Sequence, residues 1–154
     1  MMPMKKSRLW NVLTADDTKK PYGMTQTHEI GRMPEDSAAV KCTDRIFLVR
    51  VGGYAEVLDA ESQMLSLADS YPAVHEADGF KTEISFAPGV ILPTEFKDGS
   101  IVIGEEEFPV ITRGIGEDIL LLQIEDDELI VFDRSRFLLY ACIKGEFICG
   151  YVEV

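Results

Sequence analysis

The chain has 154 residues, of which 46% are hydrophobic and 27% charged, and its formal net charge is −12 at pH 7. A chain of this length can bury a sizeable core as a single domain over residues 1–154, and its composition is typical of a folded globular protein, which excludes a disordered one. Because it has no run of about 20 apolar residues and only three cysteines, one of them unpaired in any disulfide scheme, we predict a soluble protein without a membrane span, in the cytoplasm.

Charge is distributed unevenly along the chain. Residues 1–50 contain nine Lys or Arg against six Asp or Glu, whereas residues 51–154 contain six against 21. The composition of residues 1–37 is also rich in turn-forming residues. We therefore predict a basic, loop-rich N-terminal segment over residues 1–37, followed by an acidic, β-rich globular core over residues 38–154.

The N-terminal segment begins with a single apolar patch. It fits a short strand or an arm that docks elsewhere, and it consists of Leu9, Trp10, Val12 and Leu13. Residues 14–37 carry turn signals at Pro21-Tyr22-Gly23 and Met33-Pro34-Glu35-Asp36, which favours a loop or a disordered connection. If this segment is a binding arm, Met24 and His28 are its candidate contacts.

The first strong strand signal is a hairpin. Two apolar, β-rich runs, Arg45–Val51 and Tyr54–Leu58, are separated by Gly52-Gly53. A glycine pair between two such runs predicts a tight turn. The pattern contains neither G-x-G-x-x-G nor G-K-[ST], so it gives no support for a phosphate loop.

One amphipathic helix is predicted from Ala60 to Ser70. Asp59 is placed to cap it, since its carboxylate can accept a hydrogen bond from a first-turn N–H, and Pro72 ends it. Apolar residues recur at helical spacing along one stripe, at Ala60, Met64, Leu67, Ala68 and Tyr71. We expect this stripe to pack against a sheet.

The remainder of the chain reads as short strands. Phe80–Phe86 is the first, and Pro88 and Pro93 bracket a piece that we expect to be an edge strand or an irregular crossing. The later strands are Ile101–Ile103, Phe108–Thr112, Ile119–Ile124, Leu129–Phe132, Phe137–Ile143 and Phe147–Val154. We predict an α+β to mostly β fold: an antiparallel sheet, sandwich or barrel of about seven to nine strands.

The last two strands form a C-terminal β-hairpin. A type II′ turn at Gly145-Glu146 would pair Ile143 with Ile148 and Cys142 with Cys149. One face of the hairpin is apolar, and the other carries both cysteines beside three aromatic side chains, Tyr140, Phe147 and Tyr151. We expect either the helix from Ala60 or a second copy of the chain, in a homodimer, to cover that face.

Acidic residues concentrate in alternate turns of this strand series. In an up-and-down meander these turns share one end of the sheet, which would gather Glu105, Glu106, Glu107, Glu125, Asp126, Asp127, Glu128 and Glu146 beside Lys144. The other end would carry Lys97, Arg113, Arg134 and Arg136. Such an acidic end repels nucleic-acid phosphates and attracts a basic protein surface.

Two other chemistries receive weaker support. Residues 125–128 lack the spacing of a calcium loop, so we predict no specific metal site, and no motif indicates a cofactor. His75 beside Glu76 is a candidate general base, but no nucleophile motif accompanies it. We therefore predict a non-enzymatic, acidic protein-binding module, such as an inhibitor, immunity-type or adaptor protein. The alternatives are a self-assembling structural subunit, and a small hydrolase or ligand-binding domain near His75.

Overall fold

The computed structural model describes residues 7–24, 37–61, 71–74, 77–116 and 118–153. These residues are mostly antiparallel β structure in two sheets, with one short helix, α1 (Arg8–Leu13). The strands are β1 (Tyr22–Gly23), β2 (Ser37–Lys41), β3 (Ile46–Val51), β4 (Tyr54–Asp59), β5 (Lys81–Ala87), β6 (Val90–Lys97), β7 (Ser100–Ile103), β8 (Glu106–Pro109), β9 (Ile111–Ile115), β10 (Ile119–Glu125), β11 (Glu128–Asp133), β12 (Leu138–Ile143) and β13 (Glu146–Glu153).

The predicted fold class is confirmed: the chain is β-rich and antiparallel, and it ends in a hairpin. The predicted helix over 60–70 lies outside the described residues, except for Ala60 and Glu61, which form a turn. Asp59 Oδ1 accepts a hydrogen bond from the Glu61 N–H at 3.0 Å, and its capping of a helix stays a prediction. No helix among the described residues is long and apolar enough to cross a membrane.

The larger sheet has ten strands and curls around a core. Its path runs β8-β7-β6-β5-β13-β12-β11-β10-β9, and β1 pairs with β13 beside it. The two edge strands, β8 and β9, are joined by Val110 alone, which brings the edges together. Strands on both halves of the path contribute side chains to the enclosed core, such as Phe86, Ile103 and Phe132.

Helix α1 fills part of this enclosed core. Leu9 and Leu13 are 1% and 0% exposed, and the Ser7 hydroxyl caps the helix by accepting the Trp10 N–H at 3.0 Å. A helix of six residues is marginal by itself, so burial of these side chains must stabilise it. The apolar patch is therefore a docked helix, and the short-strand alternative is wrong.

The smaller sheet, in the order β2-β3-β4, covers the outer face of the larger one. The predicted hairpin at Gly52-Gly53 joins β3 and β4. A second core forms between the sheets, where Leu48 and Val57 pack with Leu121 and Val131. Strands β10 to β12 are consequently packed on both faces, one against each core, while the second face of β13 is only half-buried.

The C-terminal hairpin differs in register from the prediction. Lys144 and Gly145 occupy its turn with φ of 50° and 87°, which is the pattern of a type I′ turn and replaces the expected type II′ turn at Gly145-Glu146. Ile143 pairs with Glu146, and Cys142 pairs with Phe147, so the predicted pairing of Cys142 with Cys149 is wrong. Because the partner moves by two residues, the paired side chains of β12 and β13 keep their predicted faces.

The piece between Pro88 and Pro93 begins β6, and its residues 90–92 pair only with β5, in agreement with the predicted edge strand, whereas β6 is an interior strand from Thr94 onwards. It lies between β5 and β7, although Pro93 occurs within it. The Pro93 carbonyl accepts the Gly104 N–H at 2.7 Å, so its backbone faces the side of β7. The β6–β7 ladder begins at the pair Thr94–Ile103, so the N–H that proline lacks falls beyond the end of this ladder.

Candidate functional site

Two turns of the larger sheet bring acidic residues together at one end of its strands. The turns at residues 126–127 and 144–145 lie side by side, because Glu128 pairs with Ile143. Lys144 Nζ lies 3.1 Å from Glu125 Oε2 and 3.0 Å from Asp127 Oδ1. Hydrogen bonding to Asp127, with a smaller contribution from Glu125, raises the pKa of Lys144. The ammonium thus occupies the position between these carboxylates that a bound cation would take.

A groove of about 760 Å³ opens between this end of the larger sheet and the β3–β4 turn. We call it the acidic groove, and its lining residues are Gly53, Tyr54, Glu125, Asp126 and Asp127. The Ala55 N–H donates to the Asp126 carbonyl at 3.0 Å and joins the two walls. Tyr54 is 57% exposed, so the groove presents an aromatic ring beside three carboxylates.

Glu128, the fourth member of the acidic run, points away from this groove. It lies on the same face of β11 as Ile130 and Phe132, is 2% exposed, and its Oε2 atom has no hydrogen-bond partner among the described residues. Desolvation raises the pKa of Glu128, and the Ser7 hydroxyl opposes that rise. The predicted partner contact through Glu128 is therefore wrong, since the side chain is buried.

The acidic residues of β8 and its preceding turn form a separate group. Arg8 Nη1 lies 3.0 Å from Glu106 Oε2, and Lys97 Nζ lies 3.5 Å from Glu107 Oε1. Lys97 does lie at the opposite end of β7, beside Ser100, but the predicted separation of charge is absent there. Because β7 has four residues, its ends are only roughly 10 Å apart and long side chains span that distance. Glu105 and Glu146 are exposed at the turns that precede β8 and begin β13.

Two of the predicted basic residues lie at the opposite end of β10 and β11. Arg134 and Arg136 belong to the β11–β12 turn, and the Arg134 N–H donates to the Asp118 carbonyl at 2.8 Å. Arg113 lies within β9 instead of a turn, and its Nη1 donates to the Tyr71 carbonyl. Arg113 thereby holds the segment over residues 71–74 against the sheet.

The mixed face of the last hairpin is covered by other parts of the chain. Tyr140 and Phe147 are half-buried against the core between the two sheets. Tyr151 contacts Tyr22 of β1, with hydroxyl oxygens 3.1 Å and ring centroids 5.6 Å apart. Self-assembly through these three residues stays a prediction, supported only by the part of each side chain that remains exposed.

Of the remaining predicted site residues, only some belong to the part of the chain that the structure describes. His28 and His75 lie outside the described residues, while Met24 packs against the core between the sheets. Among the residues that the structure describes, no group of three or more His, Cys, Asp or Glu side chains could hold a metal ion. The prediction of a hydrolase or ligand site near His75 stays a prediction.

The sequence predicted the carboxylates of the acidic groove but not Tyr54. The hairpin pattern around Gly52-Gly53 does not indicate whether the Tyr54 side chain is exposed or belongs to the core. Glu128, Ile130 and Phe132 are spaced two residues apart and so share one face of a strand, which was the available signal that Glu128 points inwards.

No family model matches the chain, and neither a curated protein sequence nor a solved structure has significant similarity to it.

Proposed function

We propose that the protein is a non-enzymatic binding module whose acidic groove engages a basic surface of a partner protein, in the manner of an inhibitor, immunity-type or adaptor protein. The observation that carries this proposal is the exposed ring of Tyr54 beside Glu125, Asp126 and Asp127 in one groove. A partner lysine or arginine would place its cation against these carboxylates and over the ring. Tyrosine is also enriched among the residues that dominate binding at interfaces.

The charge of the groove supports a cationic partner. Lys144 neutralises one of the three carboxylate charges, so the groove retains two negative charges. The net charge of −12 adds a long-range field that speeds encounter with a basic surface and repels nucleic-acid phosphates. A nucleic-acid-binding protein presents such a basic surface and is a suitable class of partner.

We place this function in the cytoplasm. Cys42 and Cys142 are 3% and 1% exposed and pack in the core between the sheets. Desolvation raises the pKa of Cys42 to about 12 and that of Cys142 to about 11, so both groups are protonated thiols. Such thiols behave as small hydrophobic side chains, which suits a reducing compartment.

Substitution of the groove carboxylates tests the proposal. The full chain is used to capture its partner from a lysate of the native host, and binding of the purified partner is then measured at several salt concentrations. We expect the triple variant Glu125→Gln, Asp126→Asn, Asp127→Asn to lose binding. Affinity for the unsubstituted chain should fall as salt rises, because exposed charges are screened over about 8 Å at 0.15 M.

A matched triple variant separates the groove from net charge. Asp78→Asn, Glu83→Gln, Asp98→Asn removes three exposed carboxylates from the region of β5 to β7 and should retain binding. Lys144→Asn should strengthen binding, since it removes the ammonium yet provides the Asn-Gly sequence that type I′ turns favour. Equal loss in both triple variants, or an affinity independent of salt, would contradict the proposal.

A further inference from the structure

A second cavity, of about 570 Å³, lies between the two sheets at the end opposite to the acidic groove. Its volume is within the range of roughly 300–1,000 Å³ that is usual for small-ligand sites. We call it the arginine cleft, and its walls come from the β2–β3 loop, the start of β10, and the β11–β12 turn with Tyr140. The acidic groove shares none of its lining residues.

The guanidinium of Arg136 is fixed in this cleft by both sheets. Arg136 Nε donates to Asp133 Oδ2 at 2.7 Å, and Nη2 donates to the Cys42 carbonyl at 2.6 Å and to the Tyr140 hydroxyl at 3.1 Å. Nη1 makes no hydrogen bond to any described residue, and the side chain is 50% exposed. A cation that is held in position before a ligand arrives loses little side-chain entropy on binding.

Asp133 holds Arg136 in place and does not compete for the ligand. It is 3% exposed, and its Oδ1 accepts hydrogen bonds from the Ser135 N–H at 3.1 Å and the Ser135 hydroxyl at 2.7 Å. Desolvation acts to raise the pKa of Asp133, but the hydrogen bonds from Ser135 and Arg136 outweigh it and the pKa is lowered. The carboxylate is therefore ionised and fully occupied by its own turn.

Three further hydrogen-bond donors line the arginine cleft together with Arg136. Lys41 Nζ is paired at 3.1 Å with Asp44, whose side chain is fully exposed, and such a surface pair contributes little to stability, so a ligand can displace it. The Tyr140 hydroxyl accepts from Arg136 and keeps its own proton to donate. The Thr43 hydroxyl likewise accepts two backbone N–H groups, from Arg45 and Ile46, and retains its proton.

We infer that the arginine cleft binds a small oxyanion, a carboxylate or phosphate group, through Arg136, Lys41, Tyr140 and Thr43. Asp118 also lines the cleft and has no side-chain partner among the described residues. Its negative charge disfavours an extended polyanion such as a nucleic-acid strand and restricts the ligand to a small one. This site is independent of the basic partner proposed for the acidic groove.

Chemical-shift titration of the full-length, isotope-labelled protein tests the inference, with inorganic phosphate and acetate as separate probes. We expect saturable shifts at the backbone amides of Thr43 and Ser135 with at least one probe, and the tighter probe identifies a phosphate or carboxylate site. Lys41→Gln should weaken that binding about three- to tenfold, and Asp118→Asn should tighten it by a similar factor.

Lys97→Gln is the matched control, because Lys97 is also in an exposed ion pair and its side chain is 48% exposed against 43% for Lys41. It should leave the affinity unchanged. Arg136→Lys keeps the charge but loses the planar fork and should weaken binding at least tenfold, with the spectrum itself reporting whether the variant is folded. The inference fails if neither probe gives saturable shifts at the cleft, or if Lys41→Gln and Lys97→Gln bind alike.

Discussion

Replacement of Gly150 by alanine is the most demanding test of the packing inside the curled sheet. Gly150 lies in β13, and a Cβ atom at this position would be 2.7 Å from the Ser85 carbonyl oxygen and 2.8 Å from the Phe86 ring. Phe86 is 0% exposed and cannot move outwards. Overpacking costs about 1–3 kcal/mol, and losing the packing of a buried phenylalanine costs about 3–5 kcal/mol.

Since the nearest obstacle is a backbone atom, we expect Gly150→Ala to lower the free energy of unfolding by about 2–4 kcal/mol. That loss corresponds to a Tm decrease of roughly 4–16 °C for a chain of this length. Urea unfolding followed by fluorescence measures it, because Trp10 is the only tryptophan and is 6% exposed in the same core.

Gly23→Ala is the matched control for this substitution. Gly23 also lies in a strand, β1, and a Cβ atom there would have no neighbour within 4 Å. We expect its free energy of unfolding to stay within about 0.5 kcal/mol of the unsubstituted chain. If Gly150→Ala were as stable as Gly23→Ala, the close approach of β5 to β13 at Phe86 would not be a constraint on the fold.

Three further outcomes follow from buried titratable groups. Because the folded-state pKa of Glu128 is raised above 4.5, Glu128→Gln should raise the free energy of unfolding at pH 7 by about 1–3 kcal/mol, and urea titrations should show the gain vanishing below pH 4.5. The pKa of Asp133 shifts in the opposite direction, to below 3.8 in the folded state. Asp133→Asn should therefore lower the free energy of unfolding at pH 7 by about 1–3 kcal/mol, and urea titrations should show this loss shrinking as pH falls below 3.8. When the native protein is treated with iodoacetamide, half-buried Cys149 should be alkylated well before Cys42 and Cys142, which peptide mass analysis would detect. Equal rates of alkylation would contradict the burial of Cys42 and Cys142.

Strand periodicity and turn residues were sufficient to predict the β-rich class, because alternating side chains and Gly-containing turns are local signals. The position of the turn in the last hairpin could not be predicted from local sequence in the same way. A lysine at φ of 50° is unusual, and it is compensated by ion pairs with Glu125 and Asp127 from another hairpin. A single sequence does not indicate which distant residues provide that compensation.

Helix α1 and the arginine cleft were missed for a related reason. Six residues carry too little helical periodicity to be distinguished from a short strand, and only their burial in the enclosed core decides the matter. The cleft joins Lys41 to Arg136, which are far apart in sequence and come from different sheets. Predicting that pair would have required the packing of one sheet on the other, which the charge pattern does not contain.

The burial of β11 and β12 on both faces has a consequence for how the molecule opens. Their amide groups are paired on either side within the larger sheet, and the smaller sheet and the enclosed core exclude water from above and below. Exchange of these amide hydrogens with solvent deuterium therefore requires both cores to open. The two strands should be the slowest-exchanging part of the described chain, and their exchange should follow global unfolding, while the short β1 exchanges through local fraying.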